Sequence, residues 1–377
     1  MIFGTVYKAM ENIKIFIKKE PVLIISFLLA VGSAFVFKPS TEYLGYIDFR
    51  TLALLFCLMA VMAGLGRLGV FRIFAEKLLK GVGSVRALTL VLSLLCFFSA
   101  MLITNDVALI TFVPFTVEAL HLSGKKEKLI PIVVLETVAA NLGSMLTPIG
   151  NPQNLYLFSA FEMGMSDFVR AVLPYTVLSL VLVVLFAMFA GNEKTENTAQ
   201  SQKTEIPAVK ISVYAILFAV SLLTVFKVIP YPVTLAVTIA AVLAFDRKTL
   251  LNVDYSLLLT FVFLFVFIGN LGNVAPVSNF LKKIVVGNEV LAGIAASQVF
   301  SNVPAALLLS GFTDNAKALL VGVNLGSLGT LIASMASLIS FKLAVKENVK
   351  SGRYILVFTA VNLIFLAANI GLWLIIR

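Results

Sequence analysis

The stretch Asn141-Leu142-Gly143-Ser144-Met145-Leu146-Thr147-Pro148-Ile149 returns without a gap as Asn324-Leu325-Gly326-Ser327-Leu328-Gly329-Thr330-Leu331-Ile332, six of nine positions agreeing in the pattern N-L-G-S-x-x-T-x-I. Each copy follows a polar interruption of an apolar stretch, Thr104-Asn105-Asp106 before the first and Ser301-Asn302-Val303-Pro304 before the second. Motif and order both repeat, which marks two related units. Between them Gly191 to Ala208, with Glu193, Lys194, Glu196, Ser201, Lys203 and Glu205, is the only long polar segment. The division that follows is an N-terminal repeat over 1–190, a cytoplasmic linker over 191–209 and a C-terminal repeat over 210–377.

Of the 377 residues 60% are hydrophobic and 13% charged, with a mean hydropathy of +1.03. Soluble domains hold about 45–50% apolar and about 25% charged residues, so this excess needs lipid. Apolar runs at 21–37, 47–65, 87–103, 107–120, 130–147, 169–190, 211–226, 232–244, 255–271, 290–300, 304–312, 317–345 and 354–376 read as helices. Two pairs of runs are parted by only three residues, at the two polar interruptions, which is helical-hairpin spacing. The expected fold is an all-α polytopic membrane protein of two inverted repeats, each with a re-entrant hairpin and a broken transmembrane helix. That makes about nine full spans plus two hairpins.

The net charge of +10 lies in short inter-helix segments, not on one patch, which argues for cytoplasmic loops and against nucleic acid as a partner. With a cytoplasmic N-terminus, where Lys8, Lys14, Lys18 and Lys19 precede an uncleaved first helix, about 21 basic residues fall on the cytoplasmic side. The same assignment brings the first hairpin in from the cytoplasm and the second from outside. Cys57 and Cys96 sit in apolar runs as packing residues, and the single His121 lies in a loop. No metal-ligand cluster or cofactor is expected.

Four polar clusters fall at membrane depth. In Thr104-Asn105-Asp106 a carboxylate inside hydrocarbon costs several kcal/mol unless paired, solvated or protonated. The alternative is a surface tip where Asp106 caps the next helix. In Thr147-Pro148-Ile149-Gly150-Asn151-Pro152-Gln153-Asn154 two prolines and a glycine forbid a continuous helix. Carbonyls freed there suit a cation, and the amides of the following half-helix suit an anion. Their partners are Ser301, Asn302 and Pro304 in the second tip, and Thr330, Ser334 and Ser337 in the second motif. Neutral oxygens suit Na⁺ or a hydrogen-bonded oxyanion better than a divalent ion. For Ser334 and Ser337, close packing of small residues competes with ligation. Glu136, on an otherwise apolar run, is expected to snorkel towards Lys128, with proton coupling as the alternative. The segment 70–80 reads as an interfacial amphipathic helix.

The tripeptide tips, the G-N-P-Q-N break and the S-N-V-P motif together resemble the ion transporter superfamily. The likeness is greatest to its arsenite permease and sodium/proton antiporter branch, which includes anion permeases with a citrate-transporter-like domain, and more distant to the divalent anion/sodium symporters. That resemblance implies a homodimer in which each protomer pairs a scaffold with a transport domain that moves as an elevator. By position, Thr104, Asn105 and Asp106 would face Gly150, Asn151 and Asn154 around one cation, and Ser301 and Asn302 would face Thr330, Ser334 and Ser337 around a second. Na⁺ is then expected at Asn105, Asn151, Asn302 and Ser334. The chain departs from the symporters' serine-asparagine-threonine tips, because the first ends in Asp106 and the second continues as Val303-Pro304. Proton coupling therefore stands beside sodium coupling.

The resulting expectation is a secondary active transporter in the cell membrane, a Na⁺- or H⁺-coupled permease for a small carboxylate or inorganic anion. A cation/proton antiporter or arsenite-type exporter is the alternative. An intramembrane enzyme needs a nucleophile and base, or metal ligands, at membrane depth, and the sequence has no intramembrane His and no paired acids.

Overall fold

A computed structural model describes residues 20–79, 82–194 and 207–377. The N-terminal lysines Lys8, Lys14, Lys18 and Lys19, the end of the amphipathic segment at Lys80, and the linker residues Glu196, Ser201, Lys203 and Glu205 lie outside the described residues. The described chain is helical, with one isolated bridge between Ser84 and Lys194.

The first half comprises α1 (Pro21–Val36), α2 (Glu42–Tyr46), α3 (Phe49–Arg67), α4 (Val70–Leu79), α5 (Val85–Ile103), α6 (Asn105–Leu122), α7 (Leu129–Ser144), α8 (Pro152–Ala160) and α9 (Met165–Met188). The second comprises α10 (Ala208–Val225), α11 (Tyr231–Asp246), α12 (Tyr255–Gly272), α13 (Ala275–Val285), α14 (Glu289–Phe300), α15 (Asn302–Ser310), α16 (Ala316–Leu325), α17 (Met335–Lys346) and α18 (Ser351–Ile376). Elements α3 to α9 recur in order as α12 to α18, down to local chemistry. Asp48 caps α3 by accepting from the Thr51 amide at 3.0 Å, and Asp254 caps α12 by accepting from the Leu257 amide at 3.0 Å. A short helix follows each, and α13 turns by 114° into α14.

The hairpin tips share one backbone conformation, φ 71° and ψ 152° at Thr104 and φ 71° and ψ 155° at Ser301. Residues with a Cβ enter this region at a cost of about 1–3 kcal/mol, and only where their surroundings over-determine it. The shared turn places Asn105 and Asn302 alike at the first position of α6 and α15.

The run expected as one helix over 317–345 is instead two, α16 and α17, parted at 326–334. Gly329 at φ +113° ends the helical path, and a 3₁₀ turn over Leu331–Ala333 leads to extended Ser334. Hydropathy hid this break because its residues are small or apolar, whereas the repeated motif marked it.

Helices α5 to α9 and α14 to α18 pack into one body, and α1, α3, α10, α11 and α12 into another, meeting where α3 touches α8 and α12 touches α15. The first body holds the core: every residue of α7 from Ile132 to Ser144 is buried. An all-round apolar helix of that kind belongs at a centre. By contrast α11 buries only Thr234, Thr238 and Val242 and leaves Val233, Val237 and Ile239 exposed, as suits a lipid-facing helix. Among the described residues six helices, α3, α5, α9, α10, α12 and α18, are long and apolar enough to cross a bilayer, with the bent pair α13–α14 as a seventh.

Candidate functional site

The site is built from the two helix breaks. After α7, Pro148, Gly150 and Pro152 prevent continuation, and a Cβ on Gly150 would fall 2.0 Å from the Ser144 carbonyl oxygen, so no other residue fits. Extended Asn151 caps α8, its Oδ1 accepting from the Asn154 amide at 2.9 Å, with Pro152 in the first turn. Asn154 Nδ2 then donates to the carbonyls of Ser144, Met145 and Thr147 at 3.3, 3.3 and 3.1 Å. At the second break the same task falls to Gln298 of α14, whose Nε2 donates to the carbonyls of Gly326 and Leu328 at 3.0 and 2.9 Å. Its Oε1 accepts from the Thr330 amide at 2.9 Å. The carbonyls freed at the breaks thus hold side-chain amides in this conformation, which fixes both breaks in shape.

The leading asparagine of each motif crosses to the other repeat. Asn141 Oδ1 accepts from Ser334 Oγ at 3.1 Å, and its Nδ2 donates to Ser337 Oγ at 3.3 Å. Asn324 Oδ1 accepts from Asn151 Nδ2 at 3.1 Å, and its Nδ2 donates to Asn154 Oδ1 at 2.7 Å. In the gapless alignment Asn151 corresponds to Ser334 and Asn154 to Ser337, so each asparagine holds the same two positions of the opposite half-helix. The two crossings meet through Ser144, whose Oγ donates to the Asn141 carbonyl and accepts from Asn151 Nδ2. All these side chains are at most 2% exposed, where an amide left unpaired costs about 1–3 kcal/mol.

The first tip is tied into this network. Asn105 Nδ2 donates to Asn141 Oδ1 at 2.9 Å and its backbone amide to the Gly150 carbonyl at 3.2 Å. Asp106 does not cap α6. Its Oδ1 is buried without a hydrogen-bond partner, and the residue lines a cavity. The second tip stands apart: Ser301 Oγ donates to Asn302 Oδ1 at 3.4 Å, and neither side chain reaches the network. Pro304 is buried within α15. Thr147 donates its hydroxyl to the Met101 carbonyl, Gln153 is buried with Oε1 unpartnered, and Thr330 is exposed beside Gln298.

Glu136 departs from the expectation that it snorkels towards Lys128. It is fully buried and accepts a hydrogen bond from Thr116 of α6, because α7 is enclosed on all sides and gives its side chain no route out. Lys128 instead bonds Glu193 at 3.0 Å, and that hydrogen bond holds the Glu193 carboxyl below the usual carboxylate range.

Two cavities flank the network. One of about 760 Å³ runs from Arg67, Arg72 and Asp254 to Thr104, Asp106 and Asn151. The other, about 400 Å³, occupies the matching place in the second repeat, with Asp48 where the first has Asp254, and it is lined by Tyr46, Tyr156, Phe265 and Ser310. The Tyr156 hydroxyl and Ser310 Oγ lie 2.8 Å apart across it.

Sequence reasoning did not assign Asn141, Asn324 or Gln298 to the site. For the asparagines the signal was present, since they open the repeated motif itself. Gln298 carried none, being a lone polar residue on a hairpin arm.

A helical membrane body with paired hairpins, paired broken helices and a cavity ending on buried amides defines a polytopic transporter. The profile of the citrate transporter family, CitMHS, matches residues 14–339, and the chain belongs to that family, one of membrane-embedded transporters of the citrate and anion permease type. It is 34% identical over 319 residues to an uncharacterized transporter of Methanocaldococcus jannaschii, covering 84% of this chain and 86% of that one. It is 28% identical over 327 residues to the inner membrane protein YbiR of Escherichia coli, covering 84% and 86%. Among solved structures it is similar in fold to the YdaH transporter of Alcanivorax borkumensis, with a TM-score of 0.57, 13% identity, and 89% and 87% of the two chains covered.

Proposed function

We propose that this chain is a secondary active transporter that moves a small carboxylate or inorganic anion together with Na⁺ or H⁺ by an elevator-type exchange of access. The observation that carries this reading is the crossed asparagine network closing the inner end of the 760 Å³ cavity. Two half-helix N-termini, capped by Asn151 and preceded by Ser334, converge there, and such termini favour an anion. Both arginines in the cavity wall are already paired, Arg67 with Asp246 at 3.5 Å and Arg72 with Glu76 at 2.8 Å. Asp106 Oδ1 has no partner. An anion entering this space therefore needs a cation beside it, with Asp106, Asn105 and Asn151 supplying oxygens.

In this proposal the repeats 1–190 and 210–377 are inverted in the membrane, joined by a cytoplasmic linker over 191–209, and the hairpins are re-entrant. The body holding α5 to α9 and α14 to α18 slides against the other, which mediates a homodimer. The N-terminus is cytoplasmic and the membrane is the cell membrane. A second reading, cation/proton exchange or arsenite-type export, draws on the unpartnered Asp106 oxygen. Proteoliposomes given labelled citrate, succinate or phosphate, with Na⁺ and pH gradients imposed separately, test the proposal. Uptake driven by one gradient is expected. Proton flux evoked by Na⁺ or Li⁺ without any anion would move the assignment to the antiporter, and no flux under any gradient would overturn both.

A further inference from the structure

Among the described residues Glu136 is the one fully buried acid that the site above leaves unused. It sits on α7 below Asn141, with Oε1 accepting from Thr116 of α6 and Oε2 buried without a partner. Two titratable groups lie near enough to feel its charge, the Cys96 thiol from α5 and the Tyr354 phenol from α18. The charged residues of the elements around α7 are turned elsewhere: Asp106 and Glu118 line the cavity on α6, His121 pairs with Glu347, and Asp167 of α9 pairs with Lys317 of α16. No salt bridge reaches Glu136 among the described residues, and an unpaired charge in so dry a place is costly.

The Tyr354 hydroxyl links this region to α17. That hydroxyl lies 3.2 Å from Ser340 Oγ, which donates to the Ser337 carbonyl at 3.0 Å, and Ser337 Oγ accepts from Asn141. These contacts tie α18 to α17, and α17 to α7 at Asn141.

We propose that Glu136 is a proton-binding site, separate from Asp106, that takes up and releases one proton in step with the Asn141–Ser337 contact. The proton resides on the Glu136 carboxyl while that contact is made. It leaves to water admitted beside the carboxyl when the half-helix of α17 shifts. This rests on the transport reading, and it makes proton movement a property of the repeat-1 core and not of the cavity wall.

Glu136→Gln keeps an acceptor for Thr116 and removes the titration. In proteoliposomes with an entrapped pH dye, the variant is expected to bind anion as the wild type does, to lose the substrate-driven proton signal, and to show a flat pH profile of uptake. Wild-type proton signal and pH profile in the variant would overturn the inference, leaving Glu136 a structural link between α6 and α7. A second readout needs no flux: the infrared carbonyl band of a protonated buried carboxyl, identified by its loss in Glu136→Gln, should fade as pH is raised and move on anion binding. A band unchanged across the pH range would overturn the inference. Wild-type protein that moves no anion would count against the transport reading alone.

Discussion

The two repeats carry the same motifs in unequal surroundings. In the first, hairpin arms of 19 and 18 residues bring Asn105 into contact with Asn141, and a cavity of about 760 Å³ reaches the tip. In the second, arms of 12 and 9 residues carry a tip whose Asn302 bonds only Ser301, and a cavity of about 400 Å³ stops at Tyr156 and Ser310. The first repeat's cavity reaches the network, and the second repeat's is sealed from it at Tyr156 and Ser310. Under the proposed transport function, exchanging the states of the halves would move the opening from one face to the other.

Substitutions at matched positions sharpen that comparison. The largest effect is expected from the crossing asparagines. Asn141→Leu abandons Asn105, Ser334 and Ser337, and Asn324→Leu abandons Asn151 and Asn154, at about 1–3 kcal/mol per buried group. Thermal unfolding in detergent should fall steeply for both, and a neutral result for either would break the symmetry of the crossing. Next come the break glycines. A Cβ on Gly150 meets a backbone carbonyl that cannot move, whereas one on Gly329 meets the end of the Gln298 side chain, although at φ +113°. Gly150→Ala should therefore lower the melting temperature more than Gly329→Ala, and the reverse order would mean that the second break is the stiffer.

At the tips, Asp106→Asn should remove the response of uptake to Na⁺, while Ser301→Ala, in the tip that stands apart, should leave it in place. Equal responses would deny the first tip its special part. The smallest effect belongs to the sealed side. Tyr156→Phe deletes one hydrogen bond worth about 1 kcal/mol, which corresponds to roughly fivefold in an open population. Thiol labelling of an Ala160→Cys reporter should rise by up to that factor, and an unchanged rate would show that the aromatic packing of Tyr156 on Phe261 and Phe265, not its hydroxyl, keeps the cavity shut.

Much of the architecture was legible because it is written as local pattern. The motif at Asn141 and Asn324 marks both breaks, Thr104-Asn105-Asp106 and Ser301-Asn302 mark both hairpin turns, and the prolines around Gly150 mark where a helix must stop. The second break was half hidden, since Gly326 to Ala333 is too apolar for hydropathy to register and Gly329 acts only through its φ. What could not be read is exchange between distant parts of the chain. That Asn141 holds Ser334 and Ser337 while Asn324 holds Asn151 and Asn154 depends on how two units interlock, and neither unit alone specifies it. For the same reason the partner of Glu136 was misjudged: Lys128 is near in sequence, but Thr116 is the residue across the packed face.

The shared centre is tested most directly by a double-mutant cycle between Asn141→Ala in one repeat and Ser334→Ala in the other, reading the rise in melting temperature produced by saturating anion and Na⁺. Strongly non-additive losses are expected, since both substitutions dismantle one ligand-holding unit. Losses that simply add would mean that the two positions serve separate sites, and the central claim would not stand.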